Sequence, residues 1–144
     1  MIEIGRTDAR PRLRIALYSP GMVGLGHMRR NLLIAQGLAA GPVPAAILLL
    51  AEAREASTFV LPPGVDCLTL PALRKDEFGG CRARNLDLPL PDVMAVRANA
   101  LEAVLESFEP DVLIVDHLPR GAAGELDGAL AALRAIGRTR CALG

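Results

Sequence analysis

Apolar and polar positions along the chain form short unbroken apolar runs that alternate with segments of helical spacing. Residues 12–19 (RLRIALYS) place Leu13, Ile15, Ala16, Leu17 and Tyr18 in a mostly buried strand. Residues 20–26 (PGMVGLG) read as a glycine-rich turn. Residues 27–40 read as a helix carrying Leu32, Leu33, Ile34, Ala35, Leu38 and Ala39 toward a sheet, with Gly41-Pro42 as its stop. An unbroken apolar run at 43–50 has strand length. A short helical piece at 52–59 and a turn at 61–64 lead into an alternating strand at 65–70. Residues 71–91 carry no period and read as one long loop, predicted to be mobile. Asp92 is the expected N-cap of a helix to Phe108, with Val93, Val96, Ala100, Leu101, Val104, Leu105 and Phe108 at three-four spacing and Pro110 as its stop. Residues 111–116 (DVLIVD) form a fourth strand. Leu126, Ala129, Leu130, Leu133 and Ile136 mark a last helix ended by Gly137, and 138–143 begin a fifth strand.

Strands alternating with helices imply βαβ units and a parallel sheet covered on both faces. The expected architecture is a doubly wound, Rossmann-like α/β domain with strand order 3-2-1-4-5 and the first strand central. Residues 1–11 read as a flexible leader and 12–144 as one domain. The chain ends on a strand with no covering helix, so a further domain is expected after it.

Composition narrows the function classes. Of 144 residues, 51% are hydrophobic and 22% charged, and the mean hydropathy is +0.33, which excludes a disordered, solvating chain. Sixteen basic and 16 acidic residues cancel, and aromatics are 3%, so neither an electrostatic field nor a base-stacking platform favours nucleic acid. The arginine-rich, lysine-poor composition has the look of a GC-rich bacterial genome. Cys67, Cys81 and Cys141 are an odd, widely spaced set without metal-ligand spacing, as expected of reduced thiols in the cytoplasm. No metal site is expected. Cys67 and Cys141 are expected in the core, and Cys81 in the exposed loop.

The candidate chemistry lies in Pro20 to Arg30, after the first strand, at the carboxyl edge where open α/β sheets bind ligands. Gly24-Leu25-Gly26 opens the dinucleotide pattern, but Arg29 stands at its third glycine. Gly21 and Gly26 have the spacing of a phosphate-binding loop, but His27-Met28 replaces Lys-Ser/Thr. What remains is a Gly-x-Gly-His loop with Arg29 and Arg30 in the first helical turn, where cations oppose the helix dipole unless an anion offsets them. Asp116 ends the fourth strand with His117 next to it, and by itself reads equally well as the cap of the Asp-His-Leu-Pro turn. Asp111 is expected to cap the turn after Pro110.

Gly24-Leu25-Gly26-His27 with Arg30, the Leu61-Pro-Pro-Gly-Val-Asp66 stretch, Leu70-Pro71 to Lys75, and Phe108-Glu-Pro-Asp-Val-Leu-Ile-Val-Asp116 together resemble the N-terminal domain of GT-B glycosyltransferases. The nearest group is the predicted bacterial transferases related to glycosyltransferase family 28. That resemblance implies the acceptor-binding half of a two-domain inverting enzyme, with a C-terminal domain holding a nucleotide-sugar donor and no other cofactor. It implies His27 as general base, Asp116 as its orienting partner, and Gly24, Gly26, Arg29, Arg30 and His117 as acceptor-binding residues, with His117 the alternative base. The 71–91 loop would line the acceptor cleft, and a lipid-linked acceptor would bring a peripheral membrane contact. The chain alone would be inactive. The alternatives are a non-catalytic Rossmann-like module for a nucleotide or phosphate, and an inert scaffold fragment.

Overall fold

The computed structural model describes residues 12–21, 26–52 and 59–144. Five parallel strands form one sheet: β1 (Leu13–Tyr18), β2 (Ala45–Ala51), β3 (Val65–Thr69), β6 (Val112–Val115) and β7 (Arg140–Leu143). Their order is β3-β2-β1-β6-β7, so β1 is central and the order reverses beside it, as the sequence predicts. Two further short strands, β4 (Leu73–Lys75) and β5 (Cys81–Ala83), form a separate antiparallel hairpin.

Strand alternation sends neighbouring side chains to opposite faces. Ile15 and Leu17 of β1 face helix α1 (Gly26–Ala39), packing with Met28, Leu32 and Ala35. Ala16 and Tyr18 face the other way, into a core shared with Leu101 and Leu105 of α2 (Leu90–Phe108) and Ala129 and Leu133 of α3 (Asp127–Ile136). The sheet is thus covered on both faces, and its central strands are apolar on both sides. Because each helix returns antiparallel to the strands, all three helix N-termini lie at the sheet's carboxyl edge.

Four local expectations need correction. The 71–91 segment is not a structureless loop: Leu73 is buried, and the β4–β5 hairpin packs on Val93 and Ala122. Its strands are three residues each, too short for a periodic signal. Helix α2 starts three residues early, at Leu90, with Pro89 preceding it and Pro91 in its first turn, so Asp92 lies inside the helix and does not cap it. Leu33 and Val96, expected to face the sheet, are 67% and 49% exposed; the buried row of α2 is Val93, Arg97, Leu101 and Leu105. Cys141 is exposed and Cys81 is half-buried, the reverse of expectation. The leader, the loop residues 22–25 and most of the short helical piece (53–58) lie outside the described residues. Helix α3 ends as expected, with Gly137 left-handed at φ 74° and its N–H on the Leu133 carbonyl.

Leu101 is fully buried between α2 and the sheet. Leu101→Ala is expected to lower unfolding free energy by about 2–5 kcal/mol, whereas Leu33→Ala should change it by less than about 0.5 kcal/mol. Urea unfolding of the two variants checks this.

Candidate functional site

The reversal of strand order puts a crevice between the carboxyl ends of β1 and β6. Tyr18 and Val115 are register partners, and the Asp116 N–H bonds the Tyr18 carbonyl at 3.0 Å. The residues that follow each strand are therefore adjacent. Helix α1 opens at this point, and His27, its second residue, brings Nδ1 to 2.7 Å from Asp116 Oδ2. The Arg30 guanidinium, one turn along on the same face, pairs with the other oxygen, Oδ1. Asp116 is 1% exposed and His27 29%, so a buried carboxylate is fixed beneath a reachable imidazole.

This arrangement offsets the unfavourable cation at the N-terminus of α1: the anion facing Arg30 comes from the protein itself. His117 lies on the same side, its ring centroid 5.5 Å from that of His27. Its backbone is left-handed at φ 68°, a conformation costing a non-glycine residue roughly 1–2 kcal/mol. Arg29 is exposed and is not among the groups paired with Asp116. Gly24 lies outside the described residues. Gly26 has open space where a Cβ would stand. Asp111 does not act within its own turn; its Oδ2 accepts from the Arg14 N–H at 2.8 Å, joining β6 to the start of β1. Among the described residues no group of three His, Cys, Asp or Glu could hold a metal ion, and no helix is long and apolar enough to cross a membrane.

The fold is shared with solved sugar-nucleotide enzymes. A protein assigned as UDP-N-acetylglucosamine 2-epimerase from Listeria monocytogenes matches over 93% of this chain and 31% of its own, with a TM-score of 0.50 and 12% identity. A second UDP-N-acetylglucosamine 2-epimerase matches over 93% and 33%, with a TM-score of 0.53 and 14% identity. Both have the GT-B-like architecture that the sequence resemblance implies, and the chain spans about a third of their length. No protein-family model and no curated protein sequence matches the chain.

Beneath the crevice lies a polar cluster that the sequence reading missed. Arg97, on α2, is fully buried. Its Nε and a terminal nitrogen grip Glu125 at 2.6 and 2.7 Å, and the other terminal nitrogen reaches Glu52 at 3.0 Å and the Pro71 carbonyl at 2.5 Å. The Tyr18 hydroxyl donates to Glu125 at 2.5 Å and accepts the Ala122 N–H at 2.9 Å. Burial and then the Glu125 charge push the Tyr18 hydroxyl far above its ordinary value, so it stays a donor. Burial works against the Arg97 charge, but the bonding and charge of Glu125, together with the Glu52 charge, outweigh it, and the guanidinium is held more firmly protonated than usual. One cation faces two carboxylates. Desolvation raises the Glu52 pKa against the opposing pull of the Leu73 N–H and of Arg97.

The cluster reaches the glycine loop through Gly21, which has φ +76° and would place a Cβ 2.3 Å from the Glu52 Cβ. Only glycine meets both demands. The signal for Arg97 was available: it sits on the four-residue row Val93, Leu101 and Leu105, so an arginine there had to be buried and paired. Burial likewise raises all three cysteine thiols, Cys67, Cys81 and Cys141, which makes them poor nucleophiles at neutral pH.

Arg97→Ala leaves two buried carboxylates without their cation and is expected to cost about 3–5 kcal/mol in urea unfolding. For Glu52, a folded pKa above the unfolded one stabilises the fold below about pH 4.3, and that stabilisation is lost as pH rises through the raised value. The melting temperature of the wild type relative to Glu52→Gln should therefore fall as pH is raised above about 4.3. A difference that stays flat across that range would exclude this linkage.

Proposed function

We propose that the chain is the acceptor-binding part of an inverting glycosyltransferase acting with a second domain that holds the nucleotide-sugar donor. The observation that carries this reading is the His27–Asp116 pair at the carboxyl edge of the sheet. With Nδ1–H donated to the Asp116 carboxylate, His27 keeps Nε2 free to take a proton. The acceptor hydroxyl loses its proton to Nε2 as its oxygen bonds the sugar's anomeric carbon, and the nucleoside diphosphate leaves with the electrons of the broken bond. Asp116 orients the ring and stabilises the imidazolium that forms. The reaction uses the nucleotide sugar as co-substrate and calls for no metal or cofactor. Arg30 neutralises Asp116 from the far side, and His117, Gly24, Gly26 and Arg29 complete the proposed acceptor side. A lipid-linked acceptor would place the protein at a membrane surface on the cytoplasmic side.

The structural neighbours favour a second reading, an epimerase acting on a nucleotide sugar with no acceptor. The test joins the chain to a donor-binding domain and supplies a UDP-sugar with and without acceptor. Transfer requires the acceptor, whereas epimerisation proceeds without it. Under the transferase reading His27→Ala lowers turnover about 10²–10⁴-fold with folding intact, and Asp116→Asn lowers it less. A folded His27→Ala protein with unchanged turnover removes His27 from the chemistry. Saturable nucleotide binding without turnover in either assay leaves a non-catalytic module.

A further inference from the structure

The β4–β5 hairpin sorts its side chains by face. Leu73, Cys81 and Ala83 pack inward with Val93 and Ala122. On the other face Arg74 and Arg82 stand directly across from each other, and Arg84, two residues beyond Arg82, shares their side. Like charges in directly opposed positions destabilise an antiparallel pair, so this hairpin carries an electrostatic cost that an anion would relieve.

The three arginines line an open groove of ≈ 490 Å³ that reaches Leu90 at the start of α2, and Asp87 is the one carboxylate among its lining residues. Asp76 partly offsets the electrostatic cost: its Oδ2 pairs with Arg82 at 3.6 Å, while its Oδ1 accepts the Phe78 and Gly80 N–H groups at 3.0 and 2.7 Å and fixes it to the hairpin turn. Glu77, which shares a smaller pocket with Arg74, Arg82 and Asp76, and Asp92, in the first turn of α2, are the other acidic groups of this end. Charges along residues 71–92 balance, but the groove lining itself sets three guanidiniums against one carboxylate, so the imbalance belongs to this one face.

We propose that this groove binds a phosphate or diphosphate group, at a site distinct from the His27–Asp116 pair but on the same carboxyl-edge side of the sheet. Guanidinium groups recognise phosphate oxygens through paired N–H donors, and the groove has the volume of a small-ligand site. The inference does not depend on the proposed transferase chemistry, because it is read by binding alone.

Calorimetric titration of the full chain with inorganic pyrophosphate at low salt tests a free ligand. Co-sedimentation with phosphatidylcholine vesicles, with and without an anionic phosphomonoester lipid, tests a headgroup. Binding in at least one arm is expected, and Arg74→Gln or Arg82→Gln should each weaken it about tenfold or more. Arg134→Gln, on the exposed side of α3, should leave it unchanged. Binding of pyrophosphate without vesicle association assigns the site to a free ligand, and vesicle association alone assigns it to a headgroup. Absence of binding in both arms, or equal weakening by all three variants, would overturn the proposal. Arg74 and Arg82 are exposed, and circular dichroism of each variant establishes that it is folded.

Discussion

The interaction on which this molecule most depends is the burial of one guanidinium, that of Arg97, between helix α2 and the sheet. An arginine side chain with no exposure is costly to desolvate unless every donor finds an acceptor. Here the acceptors come from three separate places in the chain, Glu52 after β2, Pro71 after β3 and Glu125 before α3, and Tyr18 at the end of β1 joins the cluster by donating to Glu125. Segments far apart in sequence converge on a single charge. Packing of leucines could slide by small amounts at little cost, but a bidentate grip cannot, so the cluster sets how the loops at the carboxyl edge stand relative to one another.

A second charge arrangement sits at the switch point itself. Helix α1 begins with cations and has no acidic residue in its first turn, which by itself opposes its dipole. Asp116 supplies the missing negative charge from across the crevice, holding Arg30 with one oxygen and His27 with the other. The same carboxylate therefore stabilises the helix start and orients the imidazole. A site built this way couples its chemistry to the seating of an entire helix, and the strain at His117 lies on the segment that carries the carboxylate.

Much of the fold was legible because the sheet's strands are apolar runs bounded by Gly and Pro, and α3 is amphipathic with a glycine stop. The strand order followed from the glycine loop's need to face a switch point. The hairpin at 71–91 was not legible, because three-residue strands carry no period and its one deeply buried residue, Leu73, sits among charges. Val96 was assigned to the core by its type, yet the helix rotates Arg97 inward in its place. Residue type alone gives no warning of an inward arginine whose carboxylates lie 45 and 28 positions away; only its place on the row of Val93, Leu101 and Leu105 marks it. In the candidate site, residue types and order drew attention to His27, Arg30 and Asp116, while the division of Asp116 between two partners became visible only with the tertiary fold.

The approach of Gly21 to Glu52 gives a loop glycine the mutational character of a core position. Any side chain at 21 would have to displace Glu52 while also adopting a left-handed backbone, and the displaced carboxylate would leave one end of Arg97 bonded only to the Pro71 carbonyl. Gly26, a few residues along the same loop, meets no such obstacle. Evolutionary drift in this loop is thus expected to be uneven, frozen at the end that touches the interior and permissive at the end that opens the helix.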